Sequence, residues 1–247
     1  MVLSSKIIYV SIFTSVVLSC GNLDEVMKTV ESVMTETSTT PTNFEIGNGL
    51  KEALIKGTSV GVDQLSQSGG YLNAPKFKIP FPKDAEKIEN TLRTIGLGGE
   101  VDKVVVSLNR AAESAVVEAK PLFVNAIKEM TIQDVREILF GTDTAATAYL
   151  KQKTSNPLAS AFQPKIQQSL DQVNATKYWN DIVSTYNKIP MVEKMNPDLA
   201  NFVTERALKG LFMQIASEEI AIRENPMERT TALLEKVFGY AAEEKSN

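Results

Sequence analysis

The sequence predicts an all-α fold, an irregular multi-helix bundle of about nine or ten helices crossed by one extended, proline-rich strap. Three observations carry this. Apolar residues recur at helical spacing along nearly the whole chain, no stretch outside the short strap alternates apolar and polar residues as a strand would, and Gly, Pro and capping residues divide the pattern at helix-sized intervals.

The first helix of the domain is expected from about Asn43 to Gln67, with Phe44, Ile46, Leu50, Leu54, Val60 and Leu65 as its apolar set and Gly69-Gly70 as its stop. Tyr71 to Lys83 (YLNAPKFKIPFPK) holds three prolines, each of which pushes its predecessor out of the α region, so it is expected to be extended. A second helix follows Pro82 and ends at Gly96. The next runs from about Glu100 toward Lys120, is kinked or restarted by Pro121 and continues to Met130. Thr131 with Asp134 caps a helix to Phe140, and Gly141 ends it. Thr142 or Asp143 caps Thr144 to Lys153, and Asn156-Pro157 opens a short helix to Gln163. Pro164 to Val173, Thr176 to Lys188, Pro197 to Glu224 and Met227 to Phe238 complete the set.

Composition narrows the chemistry. The 247 residues include no His, and the one Cys is Cys20. Imidazole- and thiolate-dependent mechanisms are therefore excluded from the domain: Ser-His-Asp and Cys-His hydrolysis, structural zinc, and 2-His-1-carboxylate iron. No cofactor is expected. The net charge of −4 is too small and of the wrong sign for a general nucleic-acid binder, so nucleic acid is not an expected partner.

The N-terminus reads as an address. Lys6 precedes a twelve-residue apolar run, Ile7 to Leu18, too short for a bilayer core of roughly 30 Å and suited to a signal-peptide core. Val17-Leu18-Ser19-Cys20 resembles the bacterial lipobox, which implies cleavage before Cys20 and its acylation. Residues 1–19 are then a lipoprotein signal peptide. Residues 20–42 comprise the lipidated N-terminus, a short helical stretch with apolar residues at 23, 26, 27, 30, 33 and 34, and a Ser/Thr-rich tether (TETSTTPT). Residues 43–239 form the domain and 240–247 a polar C-terminal tail. Gly21, in place of an inner-membrane retention Asp, makes the expected location the outer membrane, facing the periplasm.

Further segments match a known pattern in order. Leu50 to Leu54 (LKEAL), Gly70 to Pro82 with Lys78-Ile79-Pro80, Asn109 to Glu113 (NRAAE), Ala126 to Thr131, Gly141 to Thr147 (GTDTAAT), Gly210-Leu211-Phe212, Glu218-Glu219 with Arg223, and Leu234 to Gly239 together resemble the domain-of-unknown-function 4197 family, an uncharacterised bacterial family of exported helical proteins. The resemblance implies an envelope location and a helical domain, and assigns no catalytic residue.

Four constellations are candidates for function. Asn109, Arg110 and Glu113 sit beside the apolar stripe of one helix, and Glu218, Glu219 and Arg223 repeat that arrangement on another. They form either a polar cleft, with paired carboxylates available for acid–base work or a cation, or hydrogen-bonded networks that fix helix register. No metal site is expected from them. Thr142, Asp143 and Thr144 offer an anion site or simply a cap at a helix start. In the strap, Lys76, Phe77, Lys78, Ile79 and Phe81 alternate, giving either a basic, aromatic contact surface or an apolar face packed across the bundle. The expected function is a non-enzymatic binding or assembly module, anchored to the membrane through Cys20, with an envelope protein or a hydrophobic small molecule as partner. The alternatives are a carboxylate-based envelope hydrolase or metal-assisted enzyme, and a carrier of a hydrophobic ligand.

Overall fold

The computed structural model describes residues 40–188, 190–191, 194, 196 and 198–246. Cys20, the signal segment and most of the tether lie outside the described residues. The fold is all-α, and no strand occurs among the described residues.

Nine α-helices are present among those residues: α1 (Asn43–Ser66), α2 (Glu86–Thr94), α3 (Gly98–Ala115), α4 (Ala119–Lys128), α5 (Ile132–Leu139), α6 (Ala145–Gln172), α7 (Ala175–Tyr186), α8 (Leu199–Glu224) and α9 (Ala232–Ser246). Four rods make the frame. Lys51 reaches the carbonyl of Lys128 and Lys120 pairs with Asp63, so α3 and α4 run back along α1. Ser169 meets Ser114 and Lys165 meets Glu118, which turns α6 up again. On α8, Ile222 faces Gly57, Ile215 faces Gly61 and Gly210 faces Tyr71, so this rod descends. The result is an up-down-up-down bundle in chain order. Its axis has a proximal pole, where Thr42 enters α1, and a distal pole, where the first turns of α3 extend beyond the end of α1.

Local chemistry explains the boundaries. Thr42 opens α1 with a reciprocal capping box: its hydroxyl accepts from Glu45 N at 3.2 Å and its N–H donates to Glu45 Oε2 at 2.8 Å. Thr131 and Asp134 do the same for α5. A 3-10 turn over Val116–Glu118 separates α3 from α4 because Pro121 lacks an N–H and its ring displaces the carbonyl of Val117.

Several expectations are corrected. Residues 67–77 form successive turns, with Asn73 N donating to Gly69 O and Phe77 N to Ala74 O, and only the last part of the strap is extended. A short turn can satisfy backbone groups locally where a strand would need a neighbour. The segments expected at 144–153, 157–163 and 164–173 are one helix, α6, with Pro157 and Pro164 inside it. Both prolines are exposed, so the carbonyls they leave free face water, while Leu150, Thr154, Leu158, Phe162, Ile166 and Leu170 form a continuous buried row. Asn225 caps a 3-10 turn over Pro226–Glu228, and α9 starts only after Thr231. It then continues through the expected polar tail to Ser246, because Ala241 is buried and Tyr240 lies edge-on to Phe140 at 6.1 Å. Phe44, assigned to the apolar face of α1, is 76% exposed.

Candidate functional site

The stripe on α3 carries Asn109 and Glu113 into the protein rather than to its surface, and both are buried. Asn109 acts as a substitute strand. Its Oδ1 accepts from Ile79 N at 2.8 Å, and its Nδ2 donates to Ile79 O at 2.8 Å and to Val105 O at 2.7 Å. An extended backbone with no ladder partner is thereby satisfied by one amide. Ile79 and Phe81 are consequently buried, Phe77 is half-buried, and Lys76 and Lys78 stay exposed, with Lys76 Nζ 2.9 Å from Ser217 Oγ.

One turn further, Glu113 Oε1 accepts from the backbone N–H groups of Gly69, Tyr71 and Leu72 at 3.1, 3.2 and 3.2 Å. Gly69 has φ +96°, which lets three N–H groups of the turn converge on one anion while that of Gly70 donates to Gln67 O. Arg110 Nη1 holds the other oxygen at 2.6 Å from a more exposed position. Tyr71, on the same turn, donates its hydroxyl to Ala207 O at 2.8 Å, and burial, with the Glu113 charge beside it, pushes its phenol well above the usual range. Gly210 makes room for that ring: a Cβ there would stand 2.8 Å from Tyr71 Cε1.

A second knot forms around Glu219. Its Oε1 accepts from Ala146 N at 3.0 Å and from Arg223 Nε and Nη2 at 3.1 and 2.9 Å. Its Oε2 accepts from Thr147 N and Oγ1, both at 2.8 Å. Arg223 goes on to donate to Leu139 O at 3.1 Å and Ile138 O at 2.8 Å, closing the C-terminus of α5. The Thr142–Thr144 segment does lead into a helix N-terminus, yet Thr144 makes no side-chain cap bond. The anion at that N-terminus is Glu219, contributed by α8, where the exposed N–H groups and the helix dipole favour it.

The candidate residues therefore divide. Asn109, Arg110 and Glu113 bind the distal turn, and Glu219 and Arg223 bind α5 and α6. Glu218 points to α1, sharing Gln214 Nε2 (2.7 Å) with Gln64 Oε1 (2.6 Å). Along α1 the two knots are about a dozen residues apart, roughly 18 Å. Beside Glu219 and Arg223 lies a cavity of about 20 Å³, bounded also by Leu50, Leu54, Thr58 and Ile215, with room for a water molecule and nothing larger. Among the described residues no three His, Cys, Asp or Glu side chains are grouped to hold a metal.

Space for a ligand occurs elsewhere. At the distal pole an open groove of about 870 Å³ runs between α2, α3 and the α6–α7 junction. Leu92, Val104, Val106, Val173 and Tyr178 line it, with Glu100, Asp102 and Lys103 at the rim. Val106, Val173 and Tyr178 are exposed there. Sequence reasoning missed it, although one signal existed: in Val104-Val105-Val106 a helix buries only part of a three-valine run, so one member must face away.

No curated protein and no solved structure matches the chain. The family described as Protein of unknown function (DUF4197) matches residues 40–239, which spans the bundle into α9, and the chain belongs to that family.

Proposed function

We propose that this chain is an envelope lipoprotein, anchored through Cys20 at the outer membrane facing the periplasm, whose helical domain is a non-enzymatic binding module. The observation that carries the reading is the distal groove of about 870 Å³, lined mainly by apolar side chains and opening at the pole away from Thr42. Exposed valines and a tyrosine around such a groove are unfavourable without an occupant. The carboxylates support it by what they lack. Glu113 and Glu219 are saturated by hydrogen bonds within the chain, and an acid–base group needs a free oxygen within reach of substrate.

The test is rescue of a deletion strain's envelope phenotype. Val106→Asp and Tyr178→Ala should abolish rescue while leaving the melting temperature close to wild type. Glu113→Gln protein that remains folded should rescue. Loss of rescue by folded Glu113→Gln, with the groove variants active, would replace this reading with the enzyme. Cys20→Ala should abolish acyl labelling and membrane retention; continued labelling removes the anchor. The groove's volume also favours a second reading, carriage of a hydrophobic small molecule, since it lies within the size range of ligand pockets. Mass spectra of gently extracted protein free of lipid-sized adducts would exclude it.

A further inference from the structure

The proximal pole carries an exposed apolar patch of its own. Phe44, in the first turn of α1, is 76% exposed, and Ile132, the first residue of α5, is 52% exposed. They belong to one surface. Ile132 Cδ1 lies over Gly47, 3.6 Å from where a Cβ would stand, and Phe44 precedes Gly47 by three residues on the same helix face. Arg136 Nη1, 3.5 Å from Asn43 Oδ1, ties α5 to the first residue of α1. The charges around the patch are engaged within the chain: Glu45 pairs with Lys236, and the Asp134 carboxylate accepts from Thr131 in its capping box. Arg136 lies over the Phe140 ring at 5.5 Å, and Lys51 is turned onto the carbonyl of Lys128. The other exposed side chains beside Phe44 and Ile132 are the uncharged Asn43, Asn48 and Gln133 and the cation Arg136, whose charge the half-buried Asp134 offsets.

The chain enters the domain beside this patch, at Thr42. Thr40 is twenty residue steps from Cys20, and at about 3.3–3.6 Å per step these hold α1 within roughly 70 Å of whatever Cys20 is attached to. A surface held that close meets its partner at high effective concentration, so two large apolar side chains suffice where a free protein would need many.

We infer that Phe44 and Ile132 insert into the interface of a lipid bilayer and seat the domain on the membrane by its proximal pole. The seating is apolar, so it is insensitive to salt and occurs on zwitterionic lipid. It directs the distal groove away from the bilayer, since the 24 residues of α1 alone set the two poles about 36 Å apart. This accompanies the anchored reading of Cys20, and its test holds the chain on the bilayer by a separate tether.

The mature chain from residue 20, with Cys20→Ser and Ile132→Cys, is given an N-terminal hexahistidine and an environment-sensitive dye at the new thiol. The chain has no histidine of its own, so the tag alone binds phosphatidylcholine vesicles containing a nickel-chelating lipid. Tethering should shift the dye's emission to the blue and expose it to a shallow nitroxide lipid, in high salt as in low. A dye at Phe44→Cys should behave alike, and one at Lys103→Cys on the distal pole should keep its aqueous emission. Phe44→Asp should lower the ratio of seated to unseated protein at least about tenfold, the loss expected for one buried aromatic side chain. Aqueous emission at 132 and 44 on tethered protein overturns the inference. So does a blue shift present in dilute protein without vesicles, which would mean that upstream residues cover the patch. A vesicle-free shift that grows with protein concentration overturns it in favour of a second copy.

Discussion

Removing the Glu219 carboxylate should destabilise the domain more than any other single change at the candidate residues. In Glu219→Ala the N–H groups of Ala146 and Thr147, the Thr147 hydroxyl and the Arg223 guanidinium each lose an acceptor. A buried donor left without a partner costs about 1–3 kcal/mol, and breaking a buried ion pair from one side costs about 3–5 kcal/mol. These costs do not add, because a cavity enlarged from about 20 Å³ admits water and Arg223 keeps two backbone carbonyls. The expected loss is about 4 kcal/mol, a large share of the 5–15 kcal/mol typical of a folded domain. Glu219→Gln keeps one acceptor but turns an NH₂ toward groups that are all donors, and should cost about 2–3 kcal/mol. Glu218→Gln, with a half-buried carboxylate facing only Gln214, should cost about 0.5 kcal/mol or less.

The assay is urea unfolding followed by far-UV circular dichroism, with the slope held common to all variants. For a domain of this size about 4 kcal/mol corresponds to a fall in melting temperature of roughly 8–16 °C. Arg223→Met supplies the cycle: Glu219 and Arg223 should be coupled by at least about 1 kcal/mol. A cost below about 1 kcal/mol for Glu219→Ala would refute the knot itself. Loss of cellular function in Glu219→Gln with unchanged stability would refute its assignment as structural.

Asn109→Ala removes both partners of Ile79 and should cost about 2–4 kcal/mol, with faster amide exchange at Ile79 as the specific sign. Gly210→Ala forces a methyl to 2.8 Å from the Tyr71 ring and should cost about 1–3 kcal/mol; Tyr71→Ala in the same chain should relieve the strain, so the double variant should lose less than the sum. Glu45 is held at a pKa of about 2 by its bond to Lys236 first and by Thr42 second, below its ordinary 4.5. A carboxyl depressed by folding stabilises above its unfolded pKa and loses that contribution as pH falls through its folded pKa, so the Glu45 share should disappear between about pH 4.5 and about pH 2. Carboxyl-carbon NMR should place the Glu45 midpoint near that lower value, and Lys236→Met should move it upward; an unchanged midpoint would reject the contact.

How much of this was legible depended on the range of the interaction. The cap at Thr131 and the stop after α1 are written within four residues, and there sequence and structure coincide. Proline misled because its effect is set by tertiary context. Pro157 and Pro164 end a helix only when nothing else holds it, and the buried row from Leu150 to Leu170 holds α6 together. The polar candidates showed the complementary failure. Residue types identified Glu113 and Glu219 as unusual, since both fall beside apolar stripes. Their partners, the turn at Gly69 to Leu72 and the start of α6, lie 41 to 44 and 72 to 73 residues away in sequence, beyond the reach of any spacing rule.

That difference in range assigns the chemistry to its places. Each buried carboxylate satisfies the backbone of a segment with no regular partner of its own: the turns after α1 for Glu113, the uncapped start of α6 for Glu219. Such segments would otherwise leave orphaned N–H groups inside the bundle, each as costly as a lost core contact. The charges that looked catalytic in sequence are therefore consumed in building the frame, and the sides of the four rods are committed to one another. Among the described residues, apolar surface stands open at both poles, in the Phe44–Ile132 patch beside the chain's entry and in the groove of α2, α3 and α7 at the other end. The proposed binding and seating are therefore tested by variants that change the poles without changing stability, and the proposed frame by variants of Glu113 and Glu219 that do change it.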